Sequence, residues 1–422
     1  MKKIGFWLIV GFIGCIHLSF AQSFNILYSK DSPQAVYAAR MLEKTLLKRR
    51  YLLKKVPADY SISLSVDAGK LKSEAYSILP EAKKIAITGG DERGLIYGSL
   101  SLAEDLRNGI PLQKIKARSE SPHLPFRAIK FNLPWDSYRH SQALDLHTET
   151  CRDLNFWAAF LDMMTENRFN ALTLWNLHPF TFMIRPKNFP EASPFSDKEM
   201  AEWKSFYQGL FRMAKERSID TYIVNWNIYV TPEFSKAHNV AMDNLDHKLH
   251  STGDTSEIIK RYTRESITQV LEEYPDLSGI GFTHGESMWG MTPQQRQDWF
   301  KETIIEGMRL ANRKSKLIHR VPLSANLALG GSTSVDTEEL TRKAMEELDF
   351  LDGPIWAEIK FNWSHAYSSP KLIKVHGGKL NDTYFKPEPK NYKIAWMARN
   401  EDFFCLRWGV PDFIREHIAA NT

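Results

Sequence analysis

Cysteine is scarce, with three in 422 residues. One of them, Cys15, sits in the apolar start of the chain, leaving only Cys151 and Cys405 on distant segments. That excludes a disulfide framework and a cysteine metal cluster. Charge of one sign is also in short supply: 55 basic against 50 acidic residues leave a net +5. The densest basic run, KTLLKRRYLLKK (44–55), carries leucines at helical spacing and reads as a solvated helix face, not as a nucleic-acid patch. No stretch beyond the start reaches the length of a membrane span. No glycine run has the G-x-G-x-x-G spacing of a dinucleotide site, so no cofactor is expected. Apolar residues at 43% and charged residues at 25% are ordinary for a globular protein with a sizeable core.

The first residues read as an export signal. MKK supplies the charged start, IGFWLIVGFIGCIHLSF the apolar middle, and Ala21 a small residue where cleavage can occur. Residues 1–21 are therefore expected to be removed, which places the mature chain in the periplasm or outside the cell. Cleavage before Cys15, as in a lipoprotein, is disfavoured by Phe12 at the third position upstream and by the apolar IHLSF that follows.

Two regions with different patterning follow. Over 22–120, SFNILYS and YSISLSV read as strands, and DSPQAVYAARMLEKTLLKR as a helix capped by Asp31 or Ser32. Two further strands then turn at Gly89-Gly90 into a helix, where glycine permits a tight strand-to-helix turn. The polar KARSESPHLPFRA marks a boundary near residue 120. Over 121–422, seven apolar segments recur with helical stretches between them: 126–135, 170–178, 220–229, 277–286, 321–329, 353–363 and 393–403. Strands apolar on both faces, each followed by a helix, predict a parallel sheet of the (β/α)8 TIM-type barrel class. The expected architecture is α/β, a small α/β domain followed by that barrel. Only seven strands precede the closing helical stretch PDFIREHIAANT. Either the last unit is missing, the favoured reading, or two units are merged within 229–277.

A parallel barrel places its site at the carboxyl ends of its strands. Those ends here carry Trp135, Asp136, Trp175, Asn176, His178, Asn225, Trp226, His284, Trp289, Arg320, Lys360 and Asn362. Aromatic planes mixed with amides, acids and bases suit a sugar, whose apolar faces stack on rings while its hydroxyls bind amides and carboxylates. Trp135, Trp175, Asn176, His178, Asn225, His284, Trp289, Arg320, Lys360 and Asn362 are the expected binding residues. The four histidines His178, His284, His319 and His365 come from different strands, and the first strand has no His-x-His, so a metal centre is not expected.

Glycoside hydrolysis needs two carboxyl groups, one protonated and one ionised. GIGFTHGESMWG (279–290) delivers Glu286 beside His284 and Trp289, and an apolar wall there would keep a proton on the carboxyl group. Glu286 is the expected acid; Glu358, Glu401 and Asp402 are the candidates for the base. The bland alternative for Glu286 is a carboxylate that ties loops to an arginine. Arg320 ends an apolar approach, and either a substrate carboxylate or an internal ion pair would satisfy it.

These segments resemble a known family. AYSILPEAKKIAITGGDERGLIYGSLSLAEDL (75–106) resembles the α/β domain that precedes the barrel in bacterial α-glucuronidases of glycoside hydrolase family 67, and in β-hexosaminidases. The barrel resembles the former more closely. YPDLSGIGFTHGESMWG (274–290) is similar to the segment carrying that family's general acid, which implies that role for Glu286. LDGPIWAEIKFNWSHAYSSP (351–370) looks like the segment of one of its paired base carboxylates, implying Glu358, with Glu401 or Asp402 as the second. LIHRVPLSANLA (317–328) looks like the segment whose arginine holds the uronate, implying Arg320. Gly285 stands where hexosaminidases place an Asp beside the Glu, which disfavours substrate-assisted chemistry on N-acetyl sugars. The resemblance implies an inverting hydrolase for a terminal uronic acid or related sugar, with carboxyl groups about 6.5–9.5 Å apart, against about 5–5.5 Å in a retaining enzyme. The rivals are a sugar-binding protein that has lost catalysis and a retaining hexosaminidase-like hydrolase. The oligomeric state is not fixed by the sequence.

Overall fold

The computed structural model describes residues 22–136, 142–226, 228–240, 254–283, 288, 290–321, 334–361, 382–397 and 411–421. The chain divides into two compact units, Met1–Pro122 and His123–Thr422.

In the first unit, β1 (Ser23–Leu27), α1 (Pro33–Lys48), β2 (Leu52–Leu53), β3 (Tyr60–Val66), β4 (Tyr76–Glu81), β5 (Lys84–Gly89), α2 (Glu92–Arg107) and β6 (Arg118–Glu120) form a six-stranded sheet of order β2-β1-β3-β5-β4-β6. β4 runs antiparallel to both its neighbours; the other pairs are parallel. Alternation decides which face is buried: Phe24, Tyr60, Ile62, Leu64, Ile85 and Ile87 pack with α1 and α2 in one apolar core. Ser32, not Asp31, caps α1, its hydroxyl accepting from the Ala35 N–H at 3.1 Å with Pro33 in the first turn. The Gly89-Gly90 turn depends on close backbone approach. A Cβ on Gly90 would stand 1.9 Å from the Lys72 carbonyl oxygen, and one on Gly89 2.2 Å from the Leu95 nitrogen.

The second unit is a seven-stranded sheet in which every pairing is parallel and strand order follows the chain. Its elements are β7 (Ala128–Asn132), α3 (Gln142–Asp145), α4 (Thr148–Arg152), α5 (Leu154–Glu166), β8 (Ala171–Asn176), α6 (Asp197–Glu216), β9 (Asp220–Asn225), α7 (Pro232–His238), α8 (Glu257–Glu273) and β10 (Gly279–Thr283). There follow α9 (Pro293–Trp299), a π-helical turn (Phe300–Ile305), α10 (Glu306–Leu310), β11 (Lys316–Arg320), α11 (Val335–Glu346), β12 (Ile355–Lys360), β13 (Tyr392–Met397) and α12 (Pro411–Asn421).

Strand alternation builds two cores here. Leu172, Leu174, Ile223, Ile280, Phe282, Leu317, Ala357 and Ile359 face the helices. Ala171, Trp175, Tyr222, Val224, Trp226, Ile318 and Met397 fill the opposite, concave side, with Ala128 and Trp356 against them. The curl is visible in one contact. Phe126, two residues before β7, stacks on Trp356 of β12 with ring centroids 4.4 Å apart and planes 21° apart. Five strand spacings in a flat sheet would separate those rings by about 24 Å. The sheet is therefore rolled into an incomplete TIM-type barrel, as the segment pattern predicted, and among the described residues no eighth strand joins β13 to β7.

One strand is displaced from expectation. The fifth was expected at 321–329, but the pairing segment is Lys316–Arg320. KLIHR alternates between helix-facing Leu317 and lumen-facing Ile318, and residues 322–329 of the expected segment lie outside the described residues. Between β9 and β10 the described residues form α7 and α8 and no further strand.

If the Phe126–Trp356 stack holds the curl, Trp356→Ala should cost about 2–3 kcal/mol, somewhat below the roughly 3–5 kcal/mol of a fully buried tryptophan. The check is a lower urea midpoint at constant m-value.

Candidate active site

The concave side is lined by every second residue of each strand. On β12 the helix-facing residues are Ile355, Ala357 and Ile359, so Trp356, Glu358 and Lys360 face the lumen. On β11, Leu317 faces the helices and Ile318 the lumen, which puts Arg320 on the lumen side and His319 behind it. His319 lies among aromatic rings, 4.1 Å from that of Phe282 and 5.2 Å from that of Phe300, and is fully buried.

Hydrogen-bonding register then fixes neighbours. Thr283, Arg320, Glu358 and Ala395 occupy one row across β10, β11, β12 and β13. Arg320 and Glu358 are thus register neighbours on the concave side, and both are largely buried, at 9% and 7% exposure. The Arg320 guanidinium also stands 6.0 Å from the Trp226 ring. A carboxylate and a guanidinium at adjacent strand ends can orient a polar substrate or activate a water. Lys360 lies two residues further along β12 on the same face.

Several expected binding residues are placed elsewhere. Trp135 packs against Trp203, Phe182 and Phe206, with its indole N–H donating to the Tyr207 hydroxyl at 3.1 Å. It belongs to the helix-facing core and offers no ring face to a sugar. Asn176 and Asn225 are register partners at the ends of β8 and β9, on the same side as helix-facing Leu174 and Ile223. Asn176 donates to the Trp135 carbonyl at 3.4 Å, which makes it a strand-end brace.

His178 is likewise structural. Its Nε2 is 2.7 Å from the Tyr262 hydroxyl, and its backbone N–H donates to the Asp136 carboxylate at 2.7 Å. Complete burial lowers its pKa from the ordinary histidine value to about 4, so the ring is neutral near pH 7. Asp136, in the left-handed region at φ 51°, also accepts the Leu177 N–H at its carbonyl, tying the end of β7 to that of β8.

Trp175 does face the lumen, but at 1% exposure its indole is covered. The Lys130 ammonium stands 4.1 Å from its ring centroid, and its N–H donates to Thr173 at 2.9 Å. Lys130 and Asn132 of β7, which the reading of strand ends missed, share the lumen face with Ala128, since Ile129 and Phe131 pack on the helix side. Period-two counting through FRAIKFN is the signal that finds them. Glu286, Glu401, Asp402, His284, Trp289 and Asn362 lie outside the described residues. Among the described residues no group of three or more His, Cys, Asp or Glu side chains is gathered to hold a metal, and no helix is long and apolar enough to cross a membrane.

A small α/β unit followed by a curled parallel sheet is an architecture shared with glycoside hydrolases. Residues 16–117 match the model of glycosyl hydrolase family 20, domain 2. The fold is similar to that of a GH138 enzyme described as targeting pectin rhamnogalacturonan II, at TM-score 0.68 and 21% identity over 83% of this chain. This chain spans 39% of that enzyme's length. It is also similar to a mutant Streptomyces plicatus β-hexosaminidase in complex with its product GlcNAc (TM-score 0.56, 11% identity, covering 94% of this chain and 85% of that one). A β-N-acetylhexosaminidase from Bacteroides fragilis is comparable (TM-score 0.55, 12% identity, 95% and 86% covered). These are likenesses of fold. No curated protein sequence matches the chain. The domain match is to family 20, so the likeness to family 67 rests on the sequence segments alone.

Two outcomes follow from the braced strand ends. Trp135→Ala should destabilise by roughly 3–5 kcal/mol in urea unfolding, as for a core tryptophan. For His178 the depressed folded-state pKa means that only the unfolded chain takes up this proton between pH 6.5 and about 4. Stability should fall by roughly 3 kcal/mol as pH drops through that window and reach its floor below it. His178→Gln should flatten that part of the pH dependence, read as the difference from wild type in chemical denaturation.

Proposed function

We propose that this protein is an exported glycoside hydrolase that releases a terminal uronic acid or a related acidic sugar from a polysaccharide or oligosaccharide, with inversion at the anomeric carbon. The observation that carries the reading is the charge of the lumen. Among the described lumen-facing residues from mid-strand to the carboxyl ends, Lys130, Arg320 and Lys360 are cationic and Glu358 is the one carboxylate. A cavity of that sign favours an anionic sugar over a neutral one, and low-dielectric walls strengthen the effect. The likeness to an enzyme described as targeting a pectin supports a polysaccharide substrate.

In this mechanism Glu286, three residues beyond β10, protonates the departing oxygen, and Glu358 accepts the proton of the attacking water. Arg320, the register neighbour of Glu358 on the adjacent strand, can hold the water or a sugar hydroxyl beside that carboxylate. Glu401 or Asp402, in the segment after β13, would supply a second carboxylate beside Glu358. Export rests on the charged and apolar pattern of residues 1–21. The match of residues 16–117 to a family 20 domain favours a second reading, a retaining hexosaminidase-like hydrolase.

Turnover of a panel of aryl uronides, neutral aryl glycosides and an aryl N-acetylglucosaminide separates the readings. Uronides should be hydrolysed, and Glu286→Gln and Glu358→Gln should each lower kcat by roughly 10²–10⁴-fold. The anomer first released, read by proton NMR, should be inverted. Preference for the N-acetylglucosaminide would select the second reading, and undiminished turnover by Glu286→Gln would remove the mechanism.

A further inference from the structure

The basic run at 44–55 has no part in the candidate site, and it does not form the single solvated helix face expected of it. α1 ends at Lys48. The Tyr51 N–H then donates to the Leu46 carbonyl at 3.1 Å, with Arg50 in the left-handed region at φ 66°, a helix-ending turn that sends the chain into β2. Leu46 is fully buried, and Tyr51 packs on the same core with its hydroxyl accepting the Leu112 N–H at 3.2 Å. Leu52 and Leu53 are left outside at 50% and 51% exposure, and Val56 stands at 77%.

β2 is the outermost strand of its sheet. Leu53 is the register partner of core-facing Phe24 and Leu52 that of Ser23, so the two leucines flank the edge on opposite sides. The rim of the sheet is therefore apolar. Around it Lys48, Arg49, Arg50, Lys54 and Lys55 are all exposed. Residues 44–58 hold six cations and no acid, against a net charge of +5 for the whole chain. The acid that follows, Asp59, is engaged by Ser23, whose N–H and hydroxyl donate to it at 2.8 and 2.7 Å.

Two ordinary purposes account for part of this. Cations at the end of α1 complement the helix dipole, and lysines beside a bare edge strand discourage pairing with another chain. Neither purpose calls for exposed leucines. A second copy of the chain seated on this rim would set six cations against six. An acidic polysaccharide would meet the cations and leave the leucines in water. An anionic lipid surface meets both, since apolar side chains enter the headgroup boundary while cations stay among the phosphates. The position agrees: the Leu52 N–H donates to the Gln22 carbonyl at 2.9 Å, so the rim adjoins the residue that follows the apolar start of the chain. That is the corner an export signal would hold at a membrane.

We propose that the β2 rim is a peripheral docking surface for an anionic lipid membrane, with Leu52, Leu53 and Val56 entering the interface and the flanking lysines and arginines meeting lipid phosphates. It goes beyond the hydrolytic reading of the lumen and does not depend on it.

The test is flotation of the chain lacking residues 1–21 with vesicles of phosphatidylcholine alone, and of phosphatidylcholine and phosphatidylglycerol in equal parts, at low and high salt. Wild type should float with the anionic vesicles, stay behind with the neutral ones, and be released in part by salt. Lys54→Gln combined with Lys55→Gln should lower the partition coefficient on anionic vesicles by roughly ten- to thirtyfold, the worth of two cations near a charged surface. Leu52→Ser combined with Leu53→Ser should lower it by about tenfold or more, with the loss persisting at high salt. Both pairs are exposed, so the urea midpoint should stay at that of wild type. Lys301→Gln combined with Lys314→Gln, which removes the same charge from exposed positions on the second unit, should leave partition unchanged. A wild type that does not float overturns the proposal, as does an equal loss in the Lys301 and Lys314 pair. Binding untouched by the leucine pair also overturns it, because charge alone then suffices and retention on polygalacturonate would show the same loss with the lysine pair.

Discussion

The curl of the parallel sheet is the constraint on which the candidate site depends. An open row of seven strands would leave Lys130 on β7 and Glu358 on β12 some two dozen ångströms apart, on a surface with no interior. Phe126 stacked on Trp356 brings the first and sixth strands together at the base of the lumen. Tyr222, Ile318, Trp175 and Met397 fill the space above them. Burial of that apolar plug forces every second side chain of each strand inward, and the polar ones near the carboxyl ends then face one another.

Around the lumen the strand ends are held by groups that do not face it. Asp136 takes the backbone N–H of His178, Asn176 reaches the Trp135 carbonyl, and Trp135 donates to Tyr207 on α6. His178 stays neutral because it is enclosed with Tyr262 of α8. These residues share their types with a sugar site, which is why they read as one in the sequence. Their role is to fix where β7, β8 and β9 stop. A lumen whose polar groups must meet a rigid sugar ring within fractions of an ångström needs that fixity.

Much of the fold was legible because its signals are periodic. Apolar segments alternating with amphipathic helices announced the parallel sheet, and five-residue β11 was misplaced only because KLIHR and the longer apolar stretch after it adjoin. The site was less legible, for a definite reason. Residue type at a strand end identifies polarity but not side, and Asn176 and Asn225 fall one residue out of phase with the lumen. Glu358 and Arg320 fall in phase, as does Lys360. Lys130 and Asn132 escaped notice because they precede the conspicuous LPWD end of their segment.

The sequence by itself determined the class of architecture, the order of its elements and the chemical palette at the strand ends, since hydrophobic period and residue type are local properties. The tertiary structure alone decided which of those polar groups share a cavity. That choice depends on the register between strands and on the closing of the sheet by contacts between residues more than two hundred positions apart, such as Phe126 and Trp356. No local pattern encodes such a distance.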